Sequence, residues 1–204
     1  MIAPDAVVKV GGSLLDWPGL AAGLAGYLGA RRGDHLVLVV GGGRFADALR
    51  DLDARQGLGE ARSHALALRV LDVTARALAA IAPGLVVVEE VADLPPAWAS
   101  GRVPILAPRR FLDADDRSPG PLPHTWATTT DAIAARLAAR LGARELALLK
   151  AAPLPEGTDL IEAARLGLVD PETPAAAAGL AVVTYRDLRD PSGAVAALGG
   201  RVPH

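Results

Sequence analysis

Short apolar runs with no polar alternation recur along the chain. Ala6–Val10, interrupted only by Lys9, ends at Gly11-Gly12, and Leu36–Val40 ends at Gly41-Gly42-Gly43. Runs of this kind read as strands buried on both faces. Leu85–Val88, Val103–Leu106, 146–149 and 180–184 continue the series. Between them, apolar positions three and four apart predict helices over 18–30, 45–55, 60–82, Thr130–Leu141 and 159–166. Pro18 suits a first helical turn, Pro83-Gly84 stops the third helix and Gly142 closes the fourth.

Strands alternating with helices, without polar faces on the strands, imply an α/β fold: a three-layer αβα sandwich with a mainly parallel sheet. No internal repeat or linker divides the chain, so a single domain over 1–204 is expected, with a short C-terminal part from about 151. One long segment, 108–123, is rich in Pro and carries Arg109, Arg110, Asp113, Asp115 and Asp116. It reads as an irregular stretch, equally a solvated loop or a lid over a site.

Composition narrows the function. Of the residues, 51% are hydrophobic, yet charges and Pro/Gly cut every apolar run well short of a membrane span. No basic-then-apolar leader opens the chain, so a cytoplasmic protein with no membrane partner is expected. The absence of Cys removes disulfides, thiolate metal sites and Cys nucleophiles. A net charge of −2 without a basic cluster gives nucleic acid no foothold. Against 19 Arg there are 2 Lys, Lys9 and Lys150. Both lie at or near the C-terminal ends of strands, where α/β proteins place their sites.

Three stretches carry candidate chemistry. In Lys9-Val10-Gly11-Gly12-Ser13 a strand delivers an ammonium, glycines admit a ligand close to backbone N–H groups, and a hydroxyl opens the next helix. It is not the phosphate loop in which Lys follows the glycines. Gly41-Gly42-Gly43-Arg44-Phe45-Ala46 fits a dinucleotide fingerprint, which makes an NAD-dependent oxidoreductase one alternative. That pattern needs an acidic residue ending the next strand, whereas Glu60 opens a helix; a phosphate or carboxylate ligand suits the glycines better. In His124-Thr125-Trp126-Ala127-Thr128-Thr129-Thr130-Asp131, the last four residues set three hydroxyls and a carboxylate at the head of an amphipathic helix. A helix cap needs one such residue, and the surplus leans towards function. His64 falls in register with Leu68, Leu71, Ala75 and Leu78 and reads as a structural histidine, while His35 and His204 carry no signal. No His/Asp/Glu spacing suggests a metal cage.

Taken in order, Lys9-x-Gly11-Gly12-Ser13, Gly41-Gly42-Gly43 and Thr130-Asp131 resemble the amino-acid kinase fold family. Within it, residues 61–72, 126–135 and 148–150 look most like the 5-(aminomethyl)-3-furanmethanol phosphate kinases and their bacterial relatives, which serve methanofuran-type cofactors of one-carbon metabolism. The resemblance covers roughly 6 to 150. It implies an ATP- and Mg²⁺-dependent kinase that extends a small phosphomonoester to a diphosphate. Lys9 would neutralise the phosphoryl group in transfer, and Gly11, Gly12 and Ser13 would donate to it. Gly41, Gly42, Gly43, Arg44, Thr128, Thr129 and Thr130 would hold the acceptor, and Asp131 would organise the lysine charges.

Two departures from the family pattern stand out. Larger members carry a second lysine on a C-terminal Gly-rich segment, and no lysine follows Lys150 here, so Lys150 is expected to supply that charge. Ala151-Ala152-Pro153 stands where relatives have an acidic, glycine-bearing loop, which leaves a non-catalytic phosphate- or nucleotide-binding member as the other alternative. Relatives also suggest a homodimer through helix 60–82, against simple packing of that helix on the sheet.

Overall fold

The computed structural model describes residues 2–199; His204 and the end of the expected 1–204 domain lie outside them. The strands are β1 Ala6–Val10, β2 Leu36–Val40, β3 Leu85–Val88, β4 Val103–Leu106, β5 Glu145–Lys150, β6 Val182–Asp187 and β7 Ala196–Gly199. The helices are α1 Leu20–Gly29, α2 Gly43–Gln56, α3 Glu60–Ile81, α4 Leu94–Ala99, α5 Arg109–Asp115, α6 Thr130–Leu141, α7 Leu160–Arg165 and α8 Thr173–Ala177. One seven-stranded sheet runs β3-β4-β2-β1-β5-β6-β7. Every neighbouring pair is parallel except β6 with β7.

The three layers follow from strand alternation. Val7, Val37, Val39, Leu146 and Leu148 turn to one face, where Ala134, Leu137 and Ala138 of α6 cover them. Ala6, Val8, Leu38, Ala147 and Leu149 turn to the other, against Leu24 of α1 and Ala75 and Leu78 of α3. Because side chains alternate along a strand, Lys9 shares the α6 side with Val7, and Lys150 shares it with Leu148. Register sets Lys9 beside Leu148, so the two lysines lie on adjacent strands two positions apart. β1 is central, with β2 on one flank and β5 on the other; the crevice at their C-terminal ends is the topological switch point where open α/β sheets bind ligands.

Five elements depart from the pattern-based expectation, among them α8, which no helical spacing announces. The segment 108–123 is not irregular throughout: it opens with α5, whose Leu112 and Asp115 are buried. Asp115 is tied down by Arg136 Nε at 2.7 Å and Arg140 Nε at 3.0 Å from α6. α4, which the apolar spacing does not announce, carries Pro95-Pro96 in its first turn, where the missing N–H groups cost no intrahelical hydrogen bond. The expected strand 180–184 is β6, shifted towards Asp187, and β7 completes the edge antiparallel to it with a register shift at Val183/Thr184. Among the described residues no helix is long and apolar enough to cross a membrane.

Candidate functional site

Both glycine loops leave the sheet at the switch point and meet backbone to backbone. Gly41 N donates to Val10 O at 2.9 Å, and Gly11 N donates to Leu149 O at 2.8 Å. A Cβ on Gly12 would overlap Gly43 N and stand 2.7 Å from Gly43 Cα. A Cβ on Gly43 would stand 2.6 Å from Gly12 O, and its φ of +51° is itself a glycine conformation. These glycines are therefore needed for close approach. With the loops in contact, the first N–H groups of the 14-residue α2 open at the same spot as those of the 3-10 turn Gly12–Asp16. Such groups have no partner inside the helix and attract an anion.

A cavity of about 280 Å³ lies over this junction. Lys9, Gly12, Ser13 and Gly41–Gly43 form its floor, and Thr128, Thr129 and Thr130 form one wall. α2 faces it with Gly43, Ala46, Asp47 and Arg50, and α3 with His64, Ala67, Leu68 and Leu71. Each set has the i, i+3, i+4, i+7 spacing of one helix side. Trp126 closes the rim: its indole N–H donates to Asp53 Oδ2 at 2.8 Å, and the Arg50 guanidinium lies 4.9 Å from its ring centroid.

Beneath the floor, one buried carboxylate serves two ammonium groups. Lys150 Nζ donates to Asp131 Oδ2 at 2.6 Å. Lys9 Nζ lies 2.9 Å from Asp131 Oδ1, an ion pair outside hydrogen-bond alignment. Burial alone would push the Asp131 carboxyl up, but Lys9 and then Lys150 outweigh it and bring it to about 2. Burial, followed by repulsion from Lys9, lowers Lys150 to about 8 even with Asp131 beside it. The cluster keeps one positive charge in excess, at a place where water is scarce and the charge acts strongly.

This arrangement predicts opposite pH trends for binding and stability. Above about 8 the folded protein sheds the Lys150 proton, whereas the unfolded chain holds it to the ordinary 10.5. Affinity for pyrophosphate should then fall by about tenfold per pH unit until the bound-state titration is reached. The contribution of this lysine to folding should rise over the same window, because there the unfolded state binds more protons. Calorimetric titration and urea unfolding from pH 7 to 10 read the two; a pH-independent pyrophosphate affinity would refute the assignment.

The structure thus brings together Lys9, Gly12, Ser13, Gly41, Gly42, Gly43, Thr128, Thr129, Thr130, Asp131 and Lys150, and leaves out two expected residues. Gly11 spends its N–H on β5, so it has none for a ligand. Arg44 is 81% exposed and pairs with Asp16 at 2.8 Å, because the residue after Gly43 lies on the outer side of α2. Three wall residues, Arg50, Trp126 and His64, carry no role in the sequence pattern. His64 is buried as expected, but against the cavity, stacked on His124 with ring centroids 4.8 Å apart. Burial and then His124 hold its imidazole below the usual range. Glu60 opens α3 and ends no strand, so the dinucleotide fingerprint lacks its acidic partner. Among the described residues no group of three or more His, Asp or Glu is placed to hold a metal.

Known proteins supply an independent view. The amino acid kinase family model matches residues 6–153. The chain is 28% identical over 141 residues to the [5-(aminomethyl)furan-3-yl]methyl phosphate kinase of Methanocaldococcus jannaschii. That alignment spans 69% of this chain but only 62% of the relative's length. The fold is similar to that of the uridylate kinase of Archaeoglobus fulgidus, with a TM-score of 0.62 at 16% identity, covering 96% of this chain and 91% of that one. The UMP kinase of Ureaplasma parvum gives a TM-score of 0.61 at 15% identity, covering 94% and 92%.

Proposed function

Because the chain belongs to the amino acid kinase family, we propose that it transfers the γ-phosphoryl group of ATP to a small phosphomonoester. The first acceptor to try is [5-(aminomethyl)furan-3-yl]methyl phosphate, which the relative's name supplies. The observation that carries the reading is the buried Lys9 and the largely buried Lys150 sharing Asp131 under a cavity floored by backbone N–H groups. Phosphoryl transfer asks for in-line positioning and charge neutralisation more than for covalent help, and this site offers both.

In this reading the acceptor occupies the 280 Å³ cavity, its phosphate against Gly42, Gly43 and the first turn of α2. The nucleotide approaches over the C-terminal part, from about 151, beside a second cavity of about 270 Å³ lined by Pro153, Tyr185 and Asp187. An acceptor phosphate oxygen forms a bond to the γ-phosphorus while the bridging bond to the β-phosphate breaks, its electron pair leaving with ADP. No proton has to move, which suits a site whose carboxylate is fully engaged by lysines. Lys9 and Lys150 offset the charge on the transferring oxygens, and Gly12 and Ser13 orient them. Asp131 is occupied by both lysines, so magnesium fits here as an ion carried in on the nucleotide's phosphate oxygens, where it would neutralise charge.

The test is ³¹P detection of a diphosphate product from Mg-ATP and the furan phosphate, with Mg-ATP and NAD titrated separately by calorimetry. Lys9→Ala and Lys150→Ala should each lower turnover by about 10²- to 10³-fold. Full activity in Lys150→Ala would remove it as the second charge. Nucleotide binding without turnover of any phosphomonoester would instead favour the non-catalytic member of the fold. Assembly belongs to the same proposal: Leu66, Val73 and Ile81 are exposed along one side of α3 and fit contact with a second copy of the chain, which the mass in solution would settle.

A further inference from the structure

Asp170 lies between α7 and α8, outside the stretch that the family model matches, and is buried with 7% of its surface exposed. Each of its carboxylate oxygens accepts one hydroxyl and one backbone N–H. Oδ2 takes Thr129 Oγ1 at 2.6 Å and Ala132 N at 3.1 Å. Oδ1 takes Thr173 Oγ1 at 3.0 Å and Glu172 N at 3.1 Å. Its own N–H donates at 3.2 Å to Asp131 Oδ2, the same oxygen that receives Lys150.

We propose that Asp170 is a positioning residue: it locks the first turn of α6 and the Asp131 carboxylate to the C-terminal part of the chain, and so sets the geometry of both lysines. The consequence for catalysis rests on the phosphoryl-transfer reading above; the consequence for the lysines does not. Thr129, the residue at the N-terminal boundary of α6, makes no side-chain cap of its own. The cap comes from Asp170, 41 positions later. An ordinary cap would need one acceptor for one N–H. Asp170 instead grips α6 with one oxygen, α8 with the other, and the Asp131 carboxylate with its backbone. Asp131 is the second residue of α6, so a loosened first turn moves it directly.

Asparagine cannot replace this side chain fully. Its single carbonyl oxygen can face either Ala132 N–H or Glu172 N–H, and its NH₂ must then meet the other donor. The two hydroxyls can turn to accept, but the backbone donors cannot. Asp170→Asn should therefore be intermediate between wild type and Asp170→Ala, with Thr173→Val milder than either.

Two lysines in the whole chain make the effect readable without substrate. In tag-free protein labelled at lysine Cε with ¹³C, two signals report the titrations of Lys9 and Lys150 separately. If Asp170 positions Asp131, Asp170→Ala lowers the Lys150 midpoint by roughly half to one pH unit, since its counter-charge is held less well. Turnover of the furan phosphate should fall by about 10²-fold, with the acceptor KM little changed. Lysine titrations that superimpose on wild type while the melting temperature drops would make Asp170 a structural cap and overturn the proposal. Should Asp170→Ala fail to fold, Asp170→Asn and Thr173→Val decide by the same titration. An inactive wild type would sink the kinase reading while the lysine midpoints still judge Asp170.

Discussion

Asp131→Asn is expected to cost about 3–5 kcal/mol of stability near neutral pH and to lower phosphoryl transfer by at least about 10³-fold. The substitution is nearly isosteric, so packing against the sheet survives. What disappears is the negative charge that two ammonium groups share at 2.6 and 2.9 Å. Lys9, buried, and Lys150, largely buried, would then face each other uncompensated. Lys150, already lowered to about 8, has an escape: it gives up its proton. The variant should therefore be much weaker than wild type at pH 6 and recover part of the deficit at pH 9, where the lost ion pair no longer includes a charged Lys150. Recovery would not extend to activity, because a neutral Lys150 offsets no phosphate charge. Urea unfolding of both proteins at the two pH values measures this directly. A stability deficit of equal size at pH 6 and pH 9 would contradict the charge-sharing account.

Gly12→Ala is expected to weaken ligand binding severely through geometry alone. The added methyl overlaps Gly43 N, stands 2.7 Å from Gly43 Cα and lies 2.9 Å from Gly41 C. All three are backbone atoms, so no side chain can swing aside. The two loops must part, with an overpacking cost of about 1–3 kcal/mol. The larger effect is functional: moving the start of α2 by about 1 Å misaims its N–H groups, a displacement that costs on the order of 10²-fold in rate. Gly26→Ala in α1 is the matched control. Nothing lies within 4 Å of a Cβ there, and replacing glycine inside a helix should stabilise by about 0.5–1 kcal/mol. Melting curves and pyrophosphate titration of the pair separate a local steric effect from a general one. Unchanged pyrophosphate affinity in Gly12→Ala would show that the anion does not sit at this junction.

Much of this site is legible in the sequence because it lies on regular elements. Unbroken apolar runs announce buried parallel strands and place Lys9 and Lys150 at or near their C-terminal ends, although the face the two share is fixed only by the register of β1 against β5. Thr130-Asp131 at the head of an amphipathic helix points its carboxylate at that face. Helical spacing could also have yielded Arg50 and His64, which stand seven positions from Gly43 and from Leu71 on the sides of α2 and α3 that meet the cavity. The same spacing explains why Arg44 fails: one step along a helix turns a side chain by about 100°, which carries it to solvent. Gly11 fails for a different reason, since its N–H is claimed by a strand more than a hundred residues away. Contacts of that kind leave no local trace. The Asp170 cap on α6 is another, as is the backbone contact between the glycine loops. α5 escapes notice because Pro108 and a run of charges look like a loop, although Pro108 only precedes the helix and Asp115 is buried by arginines of α6.

The central place of β1 has a consequence for how the chain is made. One edge of β1 pairs with Leu36–Val40, but the other pairs with Glu145–Lys150, so Ala6 waits for Glu145. While the intervening residues emerge from the ribosome, that edge of a valine-rich strand has no partner, a state that invites pairing with other nascent chains. Lys9 is the one charged residue on the strand, and for most of this interval Asp131 has not yet been synthesised. An unpaired ammonium in the middle of an open edge is a standard deterrent to strand addition. Under the phosphoryl-transfer proposal, the lysine set against phosphate is thus also the charge that discourages strand addition at this edge until β5 pairs with it.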